Sequence, residues 1–341
     1  MKLAIIGLPR SGKSTVFEAI TKNITAAGSK GEDRMVIVKV PDKRVDILNG
    51  LYKLPKTVYA QVAYFLPALK KGGSGDQNIW SGARECDALI HVVRNHTGFG
   101  FEEKTPHDDF MKLDQELILN DLVVAEKRLE RIELDHKRGK KMNPEEHSLL
   151  VDCRKYLENE IPLRRVGALS SAPLLKGFAF LSAKPMLVLF NNEDDDDGMP
   201  ELKDISSVEN CLVIRARLEQ ELGQMSSDEA AEFLMEFNIP ESAMQRVIRQ
   251  SYELLNLISF FTIGKDEIRA WTIEQGTPAV DAAEIIHTDM KKGFIRAEVL
   301  HFDDLMEAGS YSEAKKKGIV RLEGKTYEVR DGDIITFRFN V

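Results

Sequence analysis

Eight residues near the start of the chain, Gly7-Leu8-Pro9-Arg10-Ser11-Gly12-Lys13-Ser14, carry the pattern GxxxxGK[ST], and it occurs once. Each fixed position has a chemical reason. Gly7 permits a sharp exit from a strand, and Gly12 lets backbone approach an anion with no Cβ in the way. The amides of Arg10, Ser11, Gly12, Lys13, Ser14 and Thr15 can then converge on phosphate oxygens at a helix N-terminus, where the dipole favours negative charge. Lys13 supplies a full positive charge to the β and γ phosphates, and the Ser14 hydroxyl is a ligand for Mg²⁺. The chemistry on offer is polyphosphate binding, provided a strand precedes the loop and a helix follows it.

The flanking sequence meets that condition. Lys2 to Gly7 is a short apolar run that reads as a buried parallel strand, and Ser14 to Thr21 has helical spacing. Further strands are expected at 34–40, 58–65, 88–93, 186–190 and 211–214, with helices at 43–52 and 78–85 among them. Such alternation implies an α/β layer sandwich with a mostly parallel sheet. It stops between about 108 and 182. There Leu113, Leu117, Ile118, Leu122, Ala125, Leu129 and Ile132 recur at three- and four-residue steps, as on one face of a long helix. Arg138-Gly139-Lys140-Lys141 and Asn143-Pro144 mark a turn, and a second helix is expected from Pro144 to Glu160. The pair reads as an antiparallel coiled-coil hairpin, and the lysines at its tip as a solvated turn ahead of a contact for an acidic partner.

From residue 260 onward the texture becomes mixed α+β. Alternating runs are expected as strands at 268–272, 294–299, 319–321, 325–329 and 334–339, with helices near 281–286 and 303–307. Asp331-Gly332-Asp333 reads as a hairpin turn.

Length and composition suit two or three domains: 341 residues, 43% hydrophobic and 30% charged. A net charge of -8 gives no global cationic field to collect nucleic acid, and DNA is not indicated. Cys86, Cys153 and Cys211 are far apart and form neither a disulfide framework nor a zinc pattern. The seven histidines show no HxxxH or HExxH spacing. No apolar stretch reaches the roughly 18 residues that cross a bilayer, and the first residues fall short of a signal peptide. A cytoplasmic location without membrane partners is the expectation.

Beyond the loop, several segments resemble the YchF / Obg-like ATPase family of P-loop proteins. They include Pro41-Asp42-Lys43-Arg44-Val45-Asp46, the stretch from Arg84 to Arg94, Glu267 to Ile273, Ile286-His287-Thr288-Asp289-Met290, Lys292 to Ala297, and Asp331-Gly332-Asp333. The resemblance implies a Ras-like nucleotide domain at 1–107 and 183–258, an inserted helical hairpin at 108–182, and a C-terminal ubiquitin-like (β-grasp) TGS domain at 259–341. It also implies nucleotide hydrolysis with Mg²⁺ and association with ribosomes or other translation components.

The chain departs from that family at two places. Family members carry DxxG after the third strand, whose Asp holds Mg²⁺ through water and whose Gly amide senses the γ-phosphate. Aligned on Lys71-Gly72-Gly73-Ser74, those positions read Phe65-Leu66-Pro67-Ala68. The first switch is also shortened, to 26–33. Each lost electrostatic group at a reacting centre typically costs about 10²–10³ in rate, so binding is expected to outlast efficient hydrolysis. No catalytic residue is assigned.

The base loop is mixed too. Asn191-Asn192-Glu193-Asp194 stands where Ras-like proteins have NKxD and the family has NxxE. Asp194 suits guanine, whose N1–H and N2–H₂ donate; the missing lysine and the family suit adenine. Asn191, Asn192, Asp194 and the Ala216 backbone are the candidate base contacts, with ATP and GTP both open and the acidic run also readable as a solvated loop. Two rivals stand beside the expectation of impaired hydrolysis: a competent nucleoside-triphosphatase, and an interaction protein that works through its TGS domain without nucleotide.

Overall fold

The computed structural model describes residues 1–21, 32–68, 76–97, 103–201, 205, 209–236, 239 and 241–340. Contacts divide the chain into two compact units. One is Met1–Ile37 with Ala63–Val247, and the other is Val38–Val62 with Ile248–Val341.

The first unit is built on a six-stranded sheet in the order β2-β4-β1-β5-β6-β7. Its strands are β1 (Lys2–Ile6), β2 (Arg34–Lys39), β4 (Gln61–Leu66), β5 (Ala88–Asn95), β6 (Met186–Asn192) and β7 (Asn210–Ile214). β1 pairs in parallel with β4 and β5, and β5, β6 and β7 continue the parallel ladder. β6 is buried at every position, which is why its sequence MLVLFNN runs apolar instead of alternating. Helix α1 (Lys13–Thr21) follows β1 directly, as the phosphate loop requires. Helix α3 (Asp76–Arg84) covers the same core, where Ala4, Ile6, Phe65, Trp80, Leu89, Leu113 and Phe190 cluster.

The helical interruption of the α/β alternation is present. Helix α4 (Pro106–Lys137) has proline in its first turn, and α5 (Pro144–Glu158) is capped by Asn143, whose side chain accepts from the Glu145 and Glu146 amides. Ala125, Leu129 and Ile132 of α4 bury against Leu150, Cys153 and Leu157 of α5 in one apolar cluster. Arg128 closes the pair on Glu146 at 2.7 Å. At the base of α4, Arg164 sits between two buried carboxylates, Asp114 at 2.8 Å and Glu209 at 2.9 Å. All three side chains are nearly solvent-free, and Arg165 also reaches Glu209 at 3.1 Å, so each buried charge is tolerable because it is paired.

The second unit holds a mixed sheet in the order β11-β10-β12-β8-β9-β3. Its strands are β3 (Lys56–Val58), β8 (Leu257–Ile263), β9 (Glu267–Glu274), β10 (Phe294–His301), β11 (Arg321–Glu323) and β12 (Asp333–Phe339). Helix Ala279–Ile286 packs Ala279, Ala282 and Ala283 onto Phe260, Ala297 and Ile335. Helix α2 (Lys43–Tyr52) belongs to this unit, and Arg44 pairs with Asp331 at 2.7 Å.

Four expectations change. The run 58–65 is two strands, not one: β3 pairs in parallel with β9, while β4 joins the other sheet. Residues 38–62, expected with the nucleotide-binding part, accordingly cluster with the C-terminal unit. Residues 325–329 form no strand and contribute an isolated bridge between Glu328 and Pro278. The turn at Asp331-Gly332-Asp333 exists, with Gly332 at φ 88°, but it leads into β12 instead of closing a hairpin. A short apolar run does not encode which sheet it will join.

Candidate functional site

The phosphate loop leaves β1 at Gly7, where the chain passes so close to β5 that a Cβ would lie 2.6 Å from the Val92 carbonyl oxygen. Arg10 and Gly12 take positive φ, 66° and 91°, and wind the backbone around a concave turn. Helix α1 then begins at Lys13, with the Val16 amide donating to the Gly12 carbonyl at 2.9 Å. The loop amides thus sit at a helix N-terminus, the arrangement that receives anions.

Lys13 is 7% exposed, and its ammonium donates to the Gly7 and Leu8 carbonyls, each at 3.1 Å. Burial depresses its pKa below the usual lysine value, so the charge is one that a bound phosphate would stabilise. Ser14 is exposed at the first turn of α1 and Thr15 is half-buried beside it. Ser11 is 1% exposed, and its Oγ has no hydrogen-bond partner.

Asn191, at the end of β6, braces the loop from behind. Its Nδ2 donates to the Ser11 carbonyl at 3.1 Å, and its Oδ1 accepts from the Ala216 amide at 3.0 Å. A Cβ on Gly12 would run into Asn191 Nδ2, so glycine is required there by contact as well as by φ. Asn192 is likewise committed: its Oδ1 accepts from Asn95 Nδ2 at 2.8 Å and its Nδ2 donates to the Gly198 carbonyl at 2.8 Å. Glu193 accepts from both the amide and the hydroxyl of Thr97 at 2.6 Å, which holds its carboxyl below the ordinary glutamate range. Of the residues expected at the base, Asp194 keeps its carboxylate half exposed, with Arg217 at 3.8 Å. The side chains of Asn191 and Asn192 and the amide of Ala216 have protein partners and act here as braces.

The region expected to replace DxxG is apolar. Phe65 is 6% exposed and belongs to the core cluster, its ring lying on Gly82 of α3. Pro67 carries no N–H. The Ala68 amide donates to the Asp33 carboxylate at 2.8 Å, a contact that sequence reading missed. Beside the loop lies a cavity of about 220 Å³, bordered by Leu8, Pro9, Lys13, Pro67 and Trp80, with Glu116 of α4 on its wall. Of the shortened first switch, only residues 32 and 33 lie within the described residues, and Lys71 to Ser74 lie outside them.

The exposed Ser14 hydroxyl at the start of α1 is, among the described residues, the candidate Mg²⁺ ligand that the sequence pattern names. Among the described residues no group of three His, Cys, Asp or Glu side chains could hold a metal ion. The donor set fits a Mg²⁺ ion carried in on a nucleotide's own oxygens, with Ser14 completing it, and does not fit an independent metal centre.

His91, in the middle of β5, is 1% exposed and stacks on Phe110 with ring centroids 5.3 Å apart. Burial, and secondarily Arg164, hold its pKa down at about 3. It is a neutral core residue. His287 caps the helix Thr288–Lys292, its Nδ1 accepting from the Asp289 amide at 3.2 Å. Among the described residues no helix is long and apolar enough to cross a membrane.

A family profile for the C-terminal domain of YchF GTPases, described as a protein of unknown function, matches residues 257–340. The chain is 35% identical over 364 residues to the ribosome-binding ATPase YchF of Bacillus subtilis, covering 99% of this chain and 98% of that one. It is 37% identical over 360 residues to the protein of the same name from Haemophilus influenzae, covering 100% and 99%. Among solved structures it matches the Schizosaccharomyces pombe YchF GTPase with a TM-score of 0.85 and 28% identity, over 99% of this chain and 97% of that one.

Proposed function

The chain belongs to the YchF family, and from that premise we propose that it is a purine-nucleotide-binding P-loop protein, taking ATP- or GTP-type nucleotides, whose hydrolysis is impaired. The observation that supports binding is the loop itself: a helix N-terminus with Lys13 beside it and glycine wherever backbone must come close. Arg10 to Thr15 would hold the phosphates through their amides, and Ser14 would hold Mg²⁺. When bound, that ion would neutralise phosphate charge.

Impaired hydrolysis is argued from what surrounds the loop. The position expected to orient metal-bound water is a phenylalanine buried in the core, and the next residues supply a proline and an amide that is already bonded. Base selection falls to Asp194, since its neighbours' side chains brace the fold. Relatives carry the name ribosome-binding ATPase. We extend that to this chain as a cytoplasmic, translation-associated regulator, with the nucleotide part within 1–107 and 183–258, less residues 38–62 that cluster with the C-terminal unit, the coiled-coil hairpin at 108–182 and a TGS domain at 259–341 presenting the bound state.

Thermal unfolding with and without nucleotide tests the reading. A ligand at about 100 times its Kd adds about 2.7 kcal/mol of stability, and Lys13→Ala is expected to remove that shift while leaving the fold intact. A shift of equal size in Lys13→Ala, or none with ATP, GTP, ADP or GDP, would overturn it in favour of a nucleotide-independent interaction protein. Mg²⁺-dependent phosphate release that Lys13→Ala abolishes would instead identify a competent nucleoside-triphosphatase.

A further inference from the structure

We infer that the C-terminal unit holds a second ligand site, a cavity lined by Asp304 and Arg330 that takes a free α-amino acid with an apolar side chain. All of its lining residues belong to that unit, and the site goes beyond the nucleotide reading.

The cavity measures about 480 Å³ and is lined by His301, Asp304, Gly318, Ile319, Arg321 and Arg330. That volume falls within the roughly 300–1,000 Å³ of small-molecule clefts. Asp333 fixes its walls from behind. This fully buried carboxylate accepts from the Tyr327 hydroxyl at 2.8 Å and from the Arg330 amide at 2.9 Å. His301 Nδ1 lies 3.4 Å from the same carboxylate. Arg321 donates to the Tyr327 hydroxyl at 3.1 Å and lies 4.0 Å from Asp333, so its charge is already balanced. Gly318, at φ 71°, turns the chain out of the helix Tyr311–Lys316 and brings Ile319 to the cavity wall.

Two opposite charges remain. Asp304, on the helix Phe302–Ala308, and the Arg330 guanidinium line this one cavity. Neither side chain has a hydrogen bond or ion pair with any described residue, and they do not pair with each other. An anion alone would meet Asp304, and a cation alone would meet Arg330, each at a Coulombic cost. A ligand carrying both charges satisfies both. An α-amino acid does so with its carboxylate on the planar Arg330 fork, supported by the remaining N–H groups of Arg321, and its ammonium on Asp304. Its side chain then lies against Ile319, where burial of apolar surface adds to binding.

Calorimetric titration of the full chain with leucine and phenylalanine, and with their N-acetyl and methyl-ester derivatives, tests this. The expected result is one site per chain for at least one free amino acid, with each blocked derivative weaker by about tenfold or more. Asp304→Asn and Arg330→Gln, checked for an unchanged melting temperature, are expected to weaken the free amino acid about tenfold each. Lys13→Ala is expected to leave it unchanged. No binding by either free amino acid overturns the site and leaves nucleotide binding standing. So do blocked derivatives that bind equally well, or an affinity that either variant leaves unmoved. Inorganic phosphate that binds the parent chain and is lost in Arg330→Gln, without amino-acid binding, overturns it in favour of an anion site.

Discussion

Asn191 donates from Nδ2 to the Ser11 carbonyl at 3.1 Å, tying the end of β6 to the phosphate loop 180 residues earlier. Its Oδ1 simultaneously accepts from the Ala216 amide, so one carboxamide joins the phosphate loop to the start of the helix that begins at Ala216. A carboxamide suits this place because it offers a donor and an acceptor on one short, uncharged side chain.

Replacing it shows how far the loop depends on that brace. Asn191→Ala strands two buried backbone groups, the Ser11 carbonyl and the Ala216 amide, at about 1–3 kcal/mol each. We expect a loss of about 2–4 kcal/mol in denaturant unfolding and a smaller nucleotide-induced thermal shift. A variant within about 0.5 kcal/mol of the parent chain, with its nucleotide response intact, contradicts the bracing role.

Restoring an acid at position 65 is not expected to restore a metal-assisted reaction. The Phe65 ring fills the core over Gly82, so Phe65→Asp removes a large buried side chain and places a carboxylate among apolar neighbours. The combined cost is at least about 3 kcal/mol. Denaturant titration measures it, and Mg²⁺-dependent phosphate release is expected to stay at the parent level. Near-parental stability together with new phosphate release would show that the Phe65 side chain can reach the phosphate site.

His91 gives the protein an acid-sensitive core. Its folded pKa, about 3, lies below the ordinary histidine value of 6.5 because burial disfavours the imidazolium. Between those two values the unfolded chain binds a proton that the folded chain refuses, so stability falls as pH drops from 6.5 toward 3. Above 6.5 the contribution is flat. The slope from this one group is at most about 1.4 kcal/mol per pH unit. His91→Leu is expected to flatten the acid limb of a plot of unfolding free energy against pH by up to that amount. Parallel limbs for the two chains would refute it.

Much of this protein is legible in its sequence because the deciding forces are local. The apolar run Leu3 to Ile6 next to Gly7 forecasts a buried strand and a sharp exit, since strand burial and glycine's φ freedom are properties of a few adjacent residues. Helix α2 falls on the residues its spacing predicts, and the Asn143-Pro144 pair marks the start of α5 through capping and the fixed proline φ. The fold class follows from that order of elements.

Only the tertiary structure decided the rest, because it depends on which distant segments the closing sheets bring together. Nothing within residues 56 to 66 says that β3 will pair with β9 while β4 lies against β1. Nothing in the Asn191-Asn192 pair itself says that these side chains will hydrogen-bond to the Ser11 carbonyl, Asn95 and the Gly198 carbonyl. Asp33 has no motif to announce it, and its bond to the Ala68 amide exists because the two segments are brought side by side. Periodicity and local sterics specify the phosphate loop, whereas long-range packing determines which side chains border that loop.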